Sequence, residues 1–366
     1  MNILLLEPYY TGSHRAWVDG YVRHSAHRVE VLSLPGRFWK WRMHGGAVTL
    51  AQRFRETRSR PDLILSTDML DLTTFLALTR DLTHDIPVAL YFHENQLTYP
   101  MRAGEKRDLH YGFINYASAL LADAVFFNSA YHMDTFFDYL PKLLKHFPDY
   151  NELRTVTALH RKSSVMSLGL DLRRHDVYRE NTAPLALPAI LWNHRWEYDK
   201  NPQQFFKAVH ALRNMGLDFN LILLGESFRV KPEEFLQARE QLGSRIVQFG
   251  YVEEFAAYSA WLWAADLCIS TAHHEFFGIA TAEAIYCGGF PLLPNRLVYP
   301  DLVPTGLHPI CLYESFGELV TRSRDFLRGQ RPGGAEMRAL REHIAQFDWS
   351  EVAPQYDRRL AEVTNA

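Results

Sequence analysis

The stretch His273–Pro294, HHEFFGIATAEAIYCGGFPLLP, places two glutamates, Glu275 and Glu283, around a glycine and a run of small residues, then adds a glycine pair and an apolar run. Just upstream, LCIST from Leu267 reads as a short buried strand and AHHEFFG as a loop. IATAEAIYC has the small-residue pattern of a tightly packed helix, and GFPLLP reads as the next strand. A helix beginning near Gly278 is expected to aim its unpaired N–H groups into the cleft, a ready site for a phosphate. Glu275 precedes that helix and Glu283 lies about one turn inside it, so both carboxylates can reach one ligand. Spacing alone allows a helix-capping glutamate plus a surface one equally well.

Outward from this stretch, short apolar runs alternate with longer amphipathic segments. In the first half the runs are ILLLE, RVEVLSL, DLILS, PVALYFH, AVFFNS and SSVMSLGL; in the second they are AILWNH, FNLILLGE, IVQFGY, LCIST and GFPLLP. That rhythm is the signature of βαβ units and parallel sheets. The expected fold class is α/β, with two doubly wound, Rossmann-like domains facing a central cleft. The boundary is expected within 171–188, where charge and two prolines interrupt the pattern. The expected domains are 1–175, 185–345 and a C-terminal helix over 346–366 crossing back to the first.

Composition is that of ordinary globular material: 366 residues, 47% hydrophobic and 22% charged. Cys268, Cys287 and Cys311 sit among apolar residues without metal-site spacing, which points to a reducing, cytoplasmic setting and to no metal site. The N-terminus MNILLLEPYY reads as a buried first strand, and no run approaches a membrane span. Net charge is −3, but residues 1–185 carry 22 Lys+Arg against 20 Asp+Glu while the remainder carries 17 against 22. Seven basic residues and one acid fall between Gly36 and Arg60, so an anionic partner is expected there.

In open parallel sheets ligands sit outside the carboxyl ends of the strands, so the residues just after each run matter most. After AILWN comes HRWEYDKNPQQFFKAV, with Arg195 and Lys200 at the strand-to-helix turn. A forked guanidinium and a point-charge ammonium suit a diphosphate, although a solvated helix surface is the plainer alternative.

The order HRWEYDK, GYV and EFFGIATAEAIYCGGFPLLP resembles the retaining glycosyltransferases of the GT-B fold that carry an E-x7-E signature. That resemblance implies a nucleotide-sugar donor, with Arg195 and Lys200 on the diphosphate, Glu275 on the transferred sugar and Glu283 on the ribose hydroxyls. Gly250, Tyr251 and Val252 then lie beside the base, and Gly12, Gly225, Phe277, Gly278 and Ile279 complete the donor set. NHRWEYDKN departs from the pattern in lacking the usual glycine before the arginine. The segments EPYYTGSHRAWVDG, LPGRFWKWRMHGGA, YFHENQLTYP and FFNSAYHMDTF are similar to the queuosine-tRNA mannosyltransferases, so the resemblance spans nearly the whole chain. It implies mannose transfer from GDP-mannose to queuosine in the anticodon of tRNA(Asp), with retention and without a metal or other cofactor. Front-face attack, with the leaving phosphate accepting the proton, is implied by the same resemblance.

The first half fits that acceptor. Gly12 follows the first strand, where a missing Cβ lets backbone N–H groups approach a phosphate or sugar, though a plain turn is as common. His93 closes PVALYFH and is followed by Glu94, Asn95 and Gln96, groups suited to polyols; with His14 they form the expected acceptor edge. RFWKWR interleaves Arg37, Lys40 and Arg42 with Phe38, Trp39 and Trp41, so cations can meet phosphates while rings such as Trp41 stack on unpaired bases. Tryptophans turned into the core are the alternative. Two rival functions remain. One is a GT-B enzyme with a lipid or polysaccharide acceptor, for which Phe136–Phe147, FFDYLPKLLKHF, is the segment to approach a membrane. The other is a non-catalytic RNA-binding protein. No protein partner is implied.

Overall fold

Strands buried on both faces must be apolar throughout; each apolar run above becomes a strand, and the edge strands Arg28–Pro35, Ser163–Val165 and Ile246–Gly250 stay partly exposed. The computed structural model describes residues 1–57, 59–101, 104–180, 182, 185–226 and 233–365. Contacts divide the chain into two units, Met1–Leu170 with Trp349–Ala366, and Asp171–Asp348.

In the first unit the strands are β1 (Asn2–Tyr10), β2 (Arg28–Pro35), β3 (Leu63–Thr67), β4 (Val88–Phe92), β5 (Ala124–Phe127) and β6 (Ser163–Val165). They form one parallel sheet in the order β2-β1-β3-β4-β5-β6. Leu4, Leu6, Ile64, Leu90, Phe92, Val125 and Phe127 build the core on one face with helices that include α2 (Trp39–Thr57). The chain runs from β1 outward to β2 and then returns to β3 on the other side of β1. That reversal makes the carboxyl ends of β1 and β3 the switch point where a ligand is expected.

The C-terminal helix Trp349–Val363 belongs to this unit. Its Trp349 indole is so close to Gly20 and Gly169 that a Cβ at either would lie within 2.0 Å or 2.4 Å of ring atoms. Tyr356 accepts the Trp17 indole N–H at 3.0 Å and donates to the Ser167 carbonyl at 3.0 Å, so its hydroxyl is satisfied although buried.

The second unit repeats the plan. Its strands are β7 (Ala189–Asn193), β8 (Asn220–Leu224), β9 (Ile246–Gly250), β10 (Leu267–Ile269), β11 (Phe290–Pro294) and β12 (Leu312–Tyr313). The parallel order is β12-β11-β10-β7-β8-β9. Here the switch point lies between β7 and β10, the strands that precede Arg195–Lys200 and Glu275. β12, two residues long, has no run of its own in the sequence.

Candidate active site

The loops after β7 and β10 bring the two sequence clusters of the second unit together. Lys200 ends a short 3-10 turn after β7, and Glu275 lies in the loop after β10. The Lys200 ammonium donates to the His274 carbonyl at 2.7 Å and to Glu275 Oε2 at 3.3 Å, and stands 3.1 Å from Asp199 Oδ2. Three donors thus meet three acceptors. Burial alone would lower the Lys200 pKa, but Glu275 and Asp199 together hold it above its ordinary value. Burial likewise pushes the Glu275 carboxyl up, yet Lys200 outweighs it and holds the group below the usual carboxylate range. Asp199 is therefore part of the site, although no motif announces it. His194, buried, and His274, half-buried, lie beside this cation and sit at about 4, chiefly through desolvation and then through Lys200. Arg195, half-exposed, lies 3.9 Å from Glu197.

The helix Ile279–Tyr286 begins at Gly278, whose φ of +86° is left-handed and favours glycine. Phe277 before it is buried and Ile279 is half-buried. Glu283, inside the helix, accepts the Tyr258 hydroxyl at 2.6 Å, and that hydroxyl accepts from Asn193 Nδ2 at 2.9 Å. His175 Nε2 stands 3.8 Å from the other Glu283 oxygen. Tyr258, Asn193 and His175 fix this carboxylate, and none was visible as a site residue in the sequence. Gly225 ends the β8 run at φ +136°, where a Cβ would fall 1.8 Å from the His194 carbonyl oxygen. Tyr251 follows β9 and is 65% exposed, an open ring beside Gly250.

In the first unit, the carboxyl ends of β1, β3 and β4 gather a second set. Gly12 opens α1 (Gly12–His24) with φ +50° and open space where a Cβ would project. His14 Nδ1 bonds Glu7 Oε2 at 3.0 Å, both buried. Burial opposes protonation of His14, but the Glu7 carboxylate raises it to about 9, making the pair a buried ion pair. The His14 and His93 rings lie 4.3 Å apart, and burial followed by the His14 charge holds His93 well below its ordinary value, as neutral imidazole. His93 Nε2 has no hydrogen-bond partner among the described residues. Asp68, after β3, accepts the His93 backbone N–H at 2.8 Å; burial and then Glu94 push its carboxyl well above the usual range. Sequence reading missed Asp68, since nothing marks it beyond its place after a strand. Glu7, His14 and His93 offer one ligand atom each within 4.8 Å of one another. Because Glu7 and His14 are spent on each other, the geometry reads as an ion pair beside a neutral imidazole.

The remaining acceptor candidates divide. Asn95 is fully buried, and its side-chain oxygen accepts the Leu97 and Thr98 N–H groups at 3.0 Å, a turn-forming role. Gln96 donates to Glu94 at 3.0 Å. Arg37 and Lys40 are exposed, Lys40 lying over the Trp39 and Tyr111 rings, and Arg42 bonds the Pro35 carbonyl at 3.0 Å. Trp41 is 62% exposed, so the core alternative fails for it, whereas Trp39 is partly buried against the Met43, Met69, Tyr111 and Ile114 cluster. Along the basic run, Arg53 bonds the Ser33 carbonyl at 2.9 Å and Arg55 pairs with Asp81, roles internal to the unit. Arg58 lies outside the described residues.

Two parallel six-stranded sheets of this order, with a cation and two glutamates at the second switch point, define a GT-B glycosyltransferase. Residues 178–324 match the group 1 glycosyl transferases, and residues 2–170 match the N-terminal region of the tRNA-queuosine alpha-mannosyltransferases. A sucrose-phosphate synthase structure from Thermosynechococcus elongatus shares the fold at a TM-score of 0.72 and 14% identity, covering 100% of this chain and 99% of that one. A tRNA-queuosine alpha-mannosyltransferase of Drosophila melanogaster is 34% identical over 97% of this chain and 95% of that protein. The chain belongs to the tRNA-queuosine alpha-mannosyltransferase family. A GDP-mannose-dependent alpha-(1-6)-phosphatidylinositol dimannoside mannosyltransferase of Mycobacterium tuberculosis is 25% identical over 80% of this chain and 72% of that protein. Among the described residues, no helix is long and apolar enough to cross a membrane.

Proposed function

We propose that this chain transfers mannose from GDP-mannose to queuosine in the anticodon of tRNA(Asp), retaining the anomeric configuration. The observation that carries this reading is the match of residues 2–170, because it is to the queuosine enzymes in particular, whereas the second unit matches group 1 glycosyltransferases at large.

The second unit supplies the donor site. Breaking the bond between the anomeric carbon and the diphosphate builds negative charge on the leaving group and positive charge on the sugar. Arg195 and the N–H groups at the start of helix Ile279–Tyr286 are placed to offset the former. Lys200, saturated in the free protein, holds Glu275 in position for the sugar hydroxyls and turns one donor to the phosphate when the diphosphate arrives. Glu283 takes the ribose hydroxyls, and Tyr251 borders the base. In the first unit neutral His93, its backbone held by Asp68 and its ring beside His14, is the imidazole offered to the acceptor. The leaving phosphate accepts the proton of the attacking hydroxyl, so no side chain acts as general base. Arg37, Lys40, Arg42 and Trp41 present charge and an open ring to the RNA.

A lipid acceptor is less well supported. In the nominated segment Phe136, Leu140, Leu143 and Leu144 are buried in the first unit's core, so its apolar side is already spent. Calorimetry with GDP and UDP tests the donor half: GDP binds the wild-type chain, and Glu283→Gln weakens it about tenfold. Equal binding of UDP, or binding indifferent to Glu283, overturns that assignment.

A further inference from the structure

Phe38 stands where a phenylalanine is least expected. Its φ is +52°, in the left-handed region that costs a side-chain-bearing residue free energy, and its ring is 79% exposed. Its carbonyl accepts the N–H groups of Trp41 at 2.8 Å and Arg42 at 3.1 Å, so it occupies the position that opens α2. Glycine or asparagine would satisfy the same backbone without strain. Neither folding nor helix capping therefore accounts for the ring. One turn on, the Trp41 indole lies over Gly45, where a Cβ would come within 2.3 Å of it, so glycine lets the ring settle on the helix and still leave it 62% exposed. Arg37 and Lys40 flank these rings, both exposed, and the stretch from Gly36 to Arg60 has seven basic residues and one acid.

We infer that Phe38 and Trp41 form a two-ring platform on which unpaired RNA bases stack, with the neighbouring cations taking the phosphates. This inference rests on the proposed tRNA acceptor and deepens it, since it assigns to Phe38 the recognition of a single-stranded loop as distinct from a duplex. Charge alone attracts any polyanion, while an exposed ring adds affinity only where a base is free to stack. Strain retained at an exposed aromatic is explained when the ring works in the complex and contributes nothing to the free fold.

The test compares an unmodified anticodon stem-loop with a fully paired duplex of equal phosphate number, by fluorescence anisotropy at fixed salt. Wild type binds the stem-loop better. Phe38→Gly weakens stem-loop binding about tenfold, leaves duplex binding unchanged and raises the thermal unfolding midpoint, because glycine relieves the backbone strain. Phe38→Tyr restores the loop preference. A structural role for the ring would lower the midpoint instead, and that outcome overturns the inference. So does equal binding of loop and duplex by wild type, or tighter binding to anionic vesicles than to either RNA. Mannose transfer measured separately keeps the two readings apart. Transfer with binding indifferent to Phe38 removes the platform and leaves the acceptor, and the reverse pattern removes the acceptor and leaves the platform.

Discussion

Four histidines, three buried and His274 half-buried, are held in opposite charge states within one chain. His93, His194 and His274 are held neutral, the last two at about 4, while His14 is held protonated at about 9. Each unfolds to an ordinary value near 6.5. Between about pH 4 and 6.5 the unfolded chain binds more protons through the three depressed groups, so stability rises with pH there. Between 6.5 and about 9 the folded chain alone keeps the His14 proton, so that contribution, on the order of 3 kcal/mol, is lost as pH rises. Urea midpoints should peak near neutral pH, and Glu7→Gln should flatten the alkaline fall; a wild-type midpoint still climbing toward pH ~9 contradicts this. In the proposed donor site the two cations should separate by variant. Lys200→Ala strands the Asp199 and Glu275 carboxylates and should cost about 3–5 kcal/mol of stability as well as transfer. Arg195→Ala, half-exposed, should leave urea midpoints almost unchanged while lowering the transfer rate about 100-fold.

Helices and strands were legible where their pattern is local. Each of the eleven apolar runs named from the sequence became a strand: the central ones are apolar because both faces are covered, while the edge strands β2 and β9 stay partly exposed and keep Glu30, Ser33 and Gln248. β12 was not legible: two residues cannot show a period, and Leu312 and Tyr313 pair only because β11 lies beside them. Site residues followed the same division. Glu275, Glu283, Arg195 and Lys200 sit in motifs, whereas Asp199, Tyr258, His175 and Asp68 take their meaning from partners brought near by folding, as Tyr258 does from Glu283. The C-terminal helix offers a test at this scale. Trp349→Ala empties the space that Gly20 and Gly169 leave open and should cost about 3–5 kcal/mol, read as a fall in the urea midpoint. A loss below about 1 kcal/mol would show that this helix adds little to its unit. At α2, Trp41→Ala should raise KM for tRNA several-fold without changing KM for GDP-mannose.

Over the whole molecule, the division of labour follows two sheets that each reverse strand order once. At the second switch point a cation, two glutamates and a helix N-terminus form the proposed donor site; at the first, a neutral imidazole and an ion pair form the proposed acceptor edge. The matches split along the same line, general for 178–324 and particular for 2–170. The most direct test incubates the chain with GDP-mannose and tRNA(Asp) bearing queuosine, digests the RNA and weighs the nucleosides. The expected result is queuosine heavier by one hexose with wild type and unchanged with Glu275→Ala. Queuosine unchanged by a wild-type chain that binds GDP would contradict the account.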